Sequence, residues 1–208
     1  MTLWYVNRAT GVVCLVLFTA VVLLGVAVHL RTRFPGLPRF GTVALHRGVS
    51  LVAMVFLGAH IASAVADSYV SISLTDVLVP FVGSYDPLWL GLGTVAFDLL
   101  LAVVVTSLLR ARLGHRVWRA VHWLAYASWP LAVVHGLGIG TDLASGWMLW
   151  LTAGCVAAVA VALVLRTVLA PRRDRPADIL RSSHGSRHDS FGEPPRDSSR
   201  EPSLPIGV

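Results

Sequence analysis

Lysine is absent: all 17 cationic residues of the 208 are arginine. Charge of either sign is scarce, at 13% of residues, against about a quarter in soluble domains. Only two cysteines occur, Cys14 and Cys155, both inside apolar runs, so they say little about redox compartment. No Gly-x-Gly-x-x-Gly stretch is present, which removes the usual dinucleotide loop. What fills the space is apolar, 55% of the chain, with a mean hydropathy of +0.71. A single soluble core has no use for so much.

The apolar residues come in blocks whose lengths decide the class. No formal charge falls between Arg8 and Arg31, or between Arg47 and Asp67. The gap from Asp86 to Arg110 is broken once, by Asp98. Arg119 to Asp142 and Asp142 to Arg166 are two further uncharged gaps. A helix crosses a hydrocarbon layer of about 30 Å with roughly 20 residues, and every one of these gaps is about that long. The expected fold is an all-α, polytopic membrane bundle of five transmembrane helices, near 7–30, 43–66, 87–110, 117–138 and 145–169.

A pI near 10.3 points to nucleic acid in a soluble chain, but here the arginines sort by loop. Arg31, Arg33, Arg39 and Arg47 cluster after the first span, and Arg110, Arg112, Arg116 and Arg119 after the third. The alternate loops carry Asp67, Asp76, Asp86 and Asp142 and no arginine. This positive-inside asymmetry puts the N-terminus outside and the C-terminus in the cytoplasm, with lipid and no nucleic acid as surroundings. Trp4, Trp89 and Trp147 then fall at the outer boundary and Trp118 at the inner one. The first span, followed by His29-Leu30-Arg31-Thr32-Arg33, reads as a retained helix and not a cleaved signal. The 77–82 run is too short to cross and is expected at the outer interface. From Pro171 onward the chain turns polar, with seven Arg and six acids. Residues 1–170 are therefore expected to form the membrane domain, and 171–208 a disordered cytoplasmic tail whose His184 and His188 are not a metal site. Arginine-only, Ala/Val-rich usage suggests a GC-rich bacterial genome, hence a bacterial cell membrane.

Histidine is costly inside a membrane, yet four are placed there: His46 and His60 on the second span, His122 and His135 on the fourth. Spacings of 14 and 13 correspond to about 21 Å and 19.5 Å along a helix. Both spans run from inside to outside, so His46 should share a depth with His122, and His60 with His135. Two imidazoles at one depth, twice, is what two stacked bis-histidine haems require. The longer spacing leaves His46 and His60 about 40° apart on one face, but the shorter leaves His122 and His135 about 140° apart. A bend at Pro130 is the expected remedy. No Cys-x-x-Cys-His exists, so covalent attachment is excluded.

The two histidine pairs, Thr106-Ser107-Leu108-Leu109-Arg110 and Trp118-Arg119-x-x-His122 resemble the ferric reductase-like transmembrane domain, a superfamily that includes NADPH oxidases, ferric reductases and the bacterial haem subunit of the methionine sulfoxide reductase system. The resemblance spans roughly residues 5–170. It implies that His46 and His122 are axial ligands of an inner b-type haem, and His60 and His135 of an outer one. It implies transmembrane electron transfer from a cytoplasmic donor to an external acceptor, in an oxidoreductase component. The chain departs from the larger members: it lacks a flavin or NAD(P)H domain and has five spans where the oxidases have six. The donor is then a soluble reductase or a quinol, and ferric ion is not established as a substrate.

Blander readings stand beside these. The four histidines could be hydrogen-bond glue between helices. Arg47 and Arg119 either meet haem propionates at the inner face or only fix topology, and Arg8 has the same two options at the outer face. Asp98, mid-span, is expected to face the bundle as glue or as a proton relay. His29 and His115 read as interfacial. The rival function is a histidine-based transition-metal or proton transporter, although such sites usually gather more ligands at one level. A third possibility is a plain anchor for a soluble partner.

Overall fold

Lipid offers backbone groups no hydrogen bonds, so a chain of this composition satisfies them within helices. The computed structural model describes residues 2–30, 39–68, 70–140 and 146–168, and among them there is no strand. The expected tail 171–208, with His184 and His188, lies outside the described residues, as do Arg31, Arg33 and Asp142.

Among the described residues seven helices follow in order: α1 Thr2–His29, α2 Arg39–Ala66, α3 Leu74–Leu78, α4 Pro87–Leu108, α5 Arg110–His122, α6 Leu124–Ile139 and α7 Trp147–Val168. Four are long and apolar enough to cross a membrane: Leu3–His29, Phe40–Ala66, Pro87–Leu108 and Trp147–Val168. This is a multi-pass membrane protein. Two antiparallel pairs dominate, α1 along α2 and α4 along α6, while α7 rests on α1. The contact surfaces are built from small residues, among them Ala53, Ala96 and Ser128, which are all but fully buried. Small side chains let backbones approach closely where there is no hydrophobic drive between helices. Large residues such as Leu51, Trp150 and Val161 point outward instead, as a lipid solvent permits. Polar ties cross the interfaces. Asn7 Nδ2 donates to the His60 carbonyl at 2.9 Å and to Ser63 Oγ at 3.2 Å, and Trp129 Nε1 donates to Thr19 Oγ1 at 3.2 Å.

The short helix α3 starts with a capping box in which the Ser73 amide donates to Asp76 Oδ2 at 2.8 Å. Thr94 Oγ1 donates to the Asp76 carbonyl at 2.8 Å and pins this helix to α4. Phe81 follows in a left-handed conformation, φ 66°, with its ring over Gly91. The 77–82 run thus begins in α3 and packs on the N-terminal part of α4.

The expected fourth span, 117–138, differs in its local form. It is divided at Trp123 into α5 and α6, and α6 has 16 residues. Trp123 itself keeps right-handed angles (φ −65°, ψ −23°). The regular ladder gives way to a tighter bond, Tyr126 amide to Trp123 carbonyl at 3.0 Å. The helix continues unbroken through Pro130, so the interruption falls next to His122 and not at the proline. A tighter turn between His122 and His135 changes their relative angle from that of an ideal helix. Upstream, Gly114 at φ 73° kinks α5, a conformation a side chain would strain.

Candidate functional site

Two levels of paired imidazoles form between the hairpins. At one level His60 and His135 lie within electrostatic reach of each other. His60 Nδ1 is 3.0 Å from the Asn7 carbonyl oxygen, and His135 Nδ1 is 2.7 Å from that of Trp89. A carbonyl can only accept, so each Nδ1 carries the proton and donates it. Each Nε2 is left with its lone pair, the state that ligates metal.

At the other level the His46 and His122 rings stand 6.4 Å apart, centre to centre, with 66° between their planes. A metal–imidazole bond of about 2 Å plus about 1 Å from nitrogen to ring centre gives roughly 6 Å for two rings on one metal. Both rings line a cleft of about 580 Å³, counting the part open to the surroundings, with Phe18, Met54 and Tyr126 among its walls. The buried Nδ1 atoms of His46 and His122 have no hydrogen-bond partner. The Val21 backbone lies close to His46, but without an acceptable hydrogen-bond geometry to Nδ1. Trp118 stacks on His122 at 5.0 Å and 28°, and the Arg110 guanidinium lies over the Trp118 ring at 4.4 Å.

A repeated local device seats three of the four rings. Each rests against a glycine, and the backbone group it faces belongs to the residue four positions earlier, one helical turn away. His60 sits on Gly11 and Asn7, His46 on Gly25 and Val21, His135 on Gly93 and Trp89. A Cβ at Gly93 would lie 2.6 Å from His135 Nδ1, at Gly11 3.2 Å from His60 Cε1, and at Gly25 3.6 Å from His46 Cε1. The sequence carried this signal: Gly11 and Gly25 have the same separation as His46 and His60 on the antiparallel neighbour.

The other singled-out residues are placed differently. Arg47 and Arg119 are exposed, and Arg119 Nη2 donates to His115 Nδ1 at 3.0 Å. Arg8 covers Trp4 at 4.1 Å. Asp98 is half-buried and makes no hydrogen bond among the described residues. Sequence reasoning did not single out the roles of Gly11, Gly25 and Gly93; it read Trp118 only as a boundary aromatic and Arg166 only as the end of a span, whereas the Arg166 guanidinium lies 4.2 Å from the Trp123 ring.

With this geometry in view, a family model described as ferric reductase like transmembrane component matches residues 10–133. The match contains His46, His60 and His122 and stops just short of His135. Neither the curated proteins nor the solved structures yield a match.

Proposed function

The chain belongs to the ferric reductase-like transmembrane family, and from that premise we propose that it passes electrons across the membrane through two b-type haems, as the membrane subunit of a reductase system. One observation carries this reading: imidazoles of α2 paired at two levels with His122 at the end of α5 and His135 of α6, with the Nδ1–H of His60 and of His135 each donated to a backbone carbonyl. Hydrogen bonds of this kind fix the tautomer and the ring orientation and raise ligand basicity. The residues fit the group. Four neutral imidazoles are a suitable donor set for two bis-histidine haems, and the His46–His122 spacing admits one metal atom between them. His46 and His122 hold the inner haem, His60 and His135 the outer one, about 20 Å apart along α2. Haem bound there supplies reversible one-electron chemistry. The chain supplies ligands, spacing and a water-poor path.

The arginine asymmetry orients the reading, with α5 and the region 171–208 on the cytoplasmic side. Arg110, Arg112, Arg116 and Arg119 are all exposed on α5, which carries no acid. That surface suits an acidic reductase domain, docking at rates that fall with salt; a quinol is the other donor class, and the acceptor is external. Against transition-metal transport, no three His, Cys, Asp or Glu side chains converge among the described residues.

The test is the absorption spectrum of the purified chain after dithionite reduction, with haem counted per polypeptide. Sharp b-type bands and two haems are expected. A chain purified from haem-replete cells that shows none sinks the reading.

A further inference from the structure

One guanidinium nitrogen among the described residues, Nη1 of Arg166, is buried without a hydrogen-bond partner. Arg166 stands in the last turn of α7. Its side chain reaches the start of α6, where Cζ lies 4.2 Å from the ring centre of Trp123, the residue before α6, and 4.9 Å from that of Tyr126. Tyr126 also lines the cleft shared by His46 and His122, so the cation is one side chain away from that cleft. Two aromatic faces attract a guanidinium, but its donors lie in its own plane, and a ring beneath that plane accepts from none of them. The Tyr126 hydroxyl lies near the guanidinium, yet Nη1 still meets no acceptor. A buried donor on a charged group that meets no acceptor is costly.

Among the described residues, nothing in the immediate surroundings offers a negative charge. The titratable groups that face this corner are His29 at the end of α1, Arg119 of α5 and Tyr126 of α6. The local field is positive, which favours an anion. The two arginines that the sequence pointed to for this task are exposed, and one of them is engaged by His115.

Resting on the haem reading above, we infer that Arg166 binds a carboxylate of the inner cofactor, a haem propionate. Trp123 and Tyr126 hold the guanidinium flat, and Nη1 donates to the carboxylate. Arg166 is thus a cofactor-binding residue supplied by α7, a helix that otherwise packs mainly on α1.

The experiment uses the full chain, wild type, Arg166→Gln and Arg166→Lys, loaded in parallel with haem b and with haem b dimethyl ester, whose propionates are neutral. Haem per chain and a redox titration resolving the two components are read. In Arg166→Gln the inner haem should bind about tenfold to a hundredfold more weakly, the worth of one charge-assisted hydrogen bond. Its midpoint potential should fall, because removing a neighbouring cation favours the oxidised form. The outer component should not move. Arg166→Lys should keep the potential near wild type. Wild type should prefer haem over its ester at the inner site, and Arg166→Gln should not. An unchanged inner affinity and potential in Arg166→Gln overturns the inference, and so does an equal preference for haem and ester in wild type, which can be read even if the variants fail to fold. A purely structural clamp would leave that preference intact in every variant that folds. Wild type without haem takes down the functional reading together with this one, whereas two haems in wild type with the inner one indifferent to Arg166 removes this inference alone.

Discussion

Replacing Gly93 by Ala tests the seating of the imidazoles directly. The added Cβ would lie 2.6 Å from His135 Nδ1 and 2.7 Å from Cε1, where ordinary contacts begin at 3.4 Å. The ring must therefore retreat by about 0.8 Å, a shift too large for a well-packed interface to absorb freely. The retreat opens the 2.7 Å bond to the Trp89 carbonyl toward the limit of a hydrogen bond. Overpacking of this kind costs about 1–3 kcal/mol, and the weakened hydrogen bond adds about 1 kcal/mol. Alanine's better helix preference returns at most about 1 kcal/mol. The balance corresponds to roughly a tenfold to hundredfold weaker outer haem. The same change elsewhere supplies a graded series. Gly11→Ala meets His60 Cε1 at 3.2 Å and should have a small effect, Gly25→Ala meets His46 at 3.6 Å and should have almost none, and Gly58→Ala meets nothing within 4 Å. The assay is haem per chain, with the reduced spectrum, for the four purified variants. Full retention of both haems in Gly93→Ala, or equal losses across the series, would refute the argument that these glycines seat the histidines.

Substituting His60 or His135 by Ala should remove about one haem equivalent and leave the other, read by the same spectra; two haems retained with an unchanged low-spin spectrum counts against the assignment. Purified chain mixed with NAD(P)H alone should keep its haems oxidised, and a flavin reductase, a ferredoxin-type donor or a quinol should reduce them in stopped flow. Prompt reduction by NAD(P)H without flavin would reveal a nucleotide site in this chain. A reporter fused after Arg173 should read as cytoplasmic, and an external readout reverses the proposed direction of electron flow.

The spans were legible because lipid imposes one rule on the whole chain: a helix must run about 20 residues without free charge. Charge gaps alone placed α1, α2, α4 and α7 within a few residues, apart from an N-terminal extension of α1 to Thr2. The histidine levels were legible because rise per residue is nearly constant and α2 runs the same way as the α5–α6 segment that carries His122 and His135. The break at Trp123 was not. Nothing local marks it, whereas Pro130 marks a site where α6 continues, its lost donor tolerated inside the bundle. Ring partners were also hidden, since the carbonyl a histidine meets depends on how two helices pack, not on the histidine's own neighbours. Arg166 sits where any span-ending arginine would, and only the aromatic rings against it and its buried, unpartnered Nη1 distinguish it from a topological anchor.

The two hairpins use one device unequally. Helix α1 serves both histidines of α2, with Gly11 and Gly25 repeating the spacing of the rings they seat. Helix α4 serves His135 with Gly93, but one such spacing further on it carries Ser107 in place of a second glycine. The Ser107 hydroxyl donates to the Val103 carbonyl at 2.6 Å, and so occupies the backbone acceptor one turn earlier that a histidine would use. Ser107 Oγ also accepts from Trp118 Nε1 at 3.3 Å, and it is Trp118 that stacks on His122. A ring stack constrains the plane of an imidazole but not its rotation within that plane, whereas a hydrogen bond at Nδ1 fixes both tautomer and direction. His60 and His135 are therefore aimed by the protein before anything binds between them. His46 rests on Gly25 and His122 against Trp118, but neither Nδ1 has a hydrogen-bond partner, so their direction is less tightly set. This pair includes His122, the last residue of the arginine-rich helix α5, and the preset pair lies toward the far end of α2.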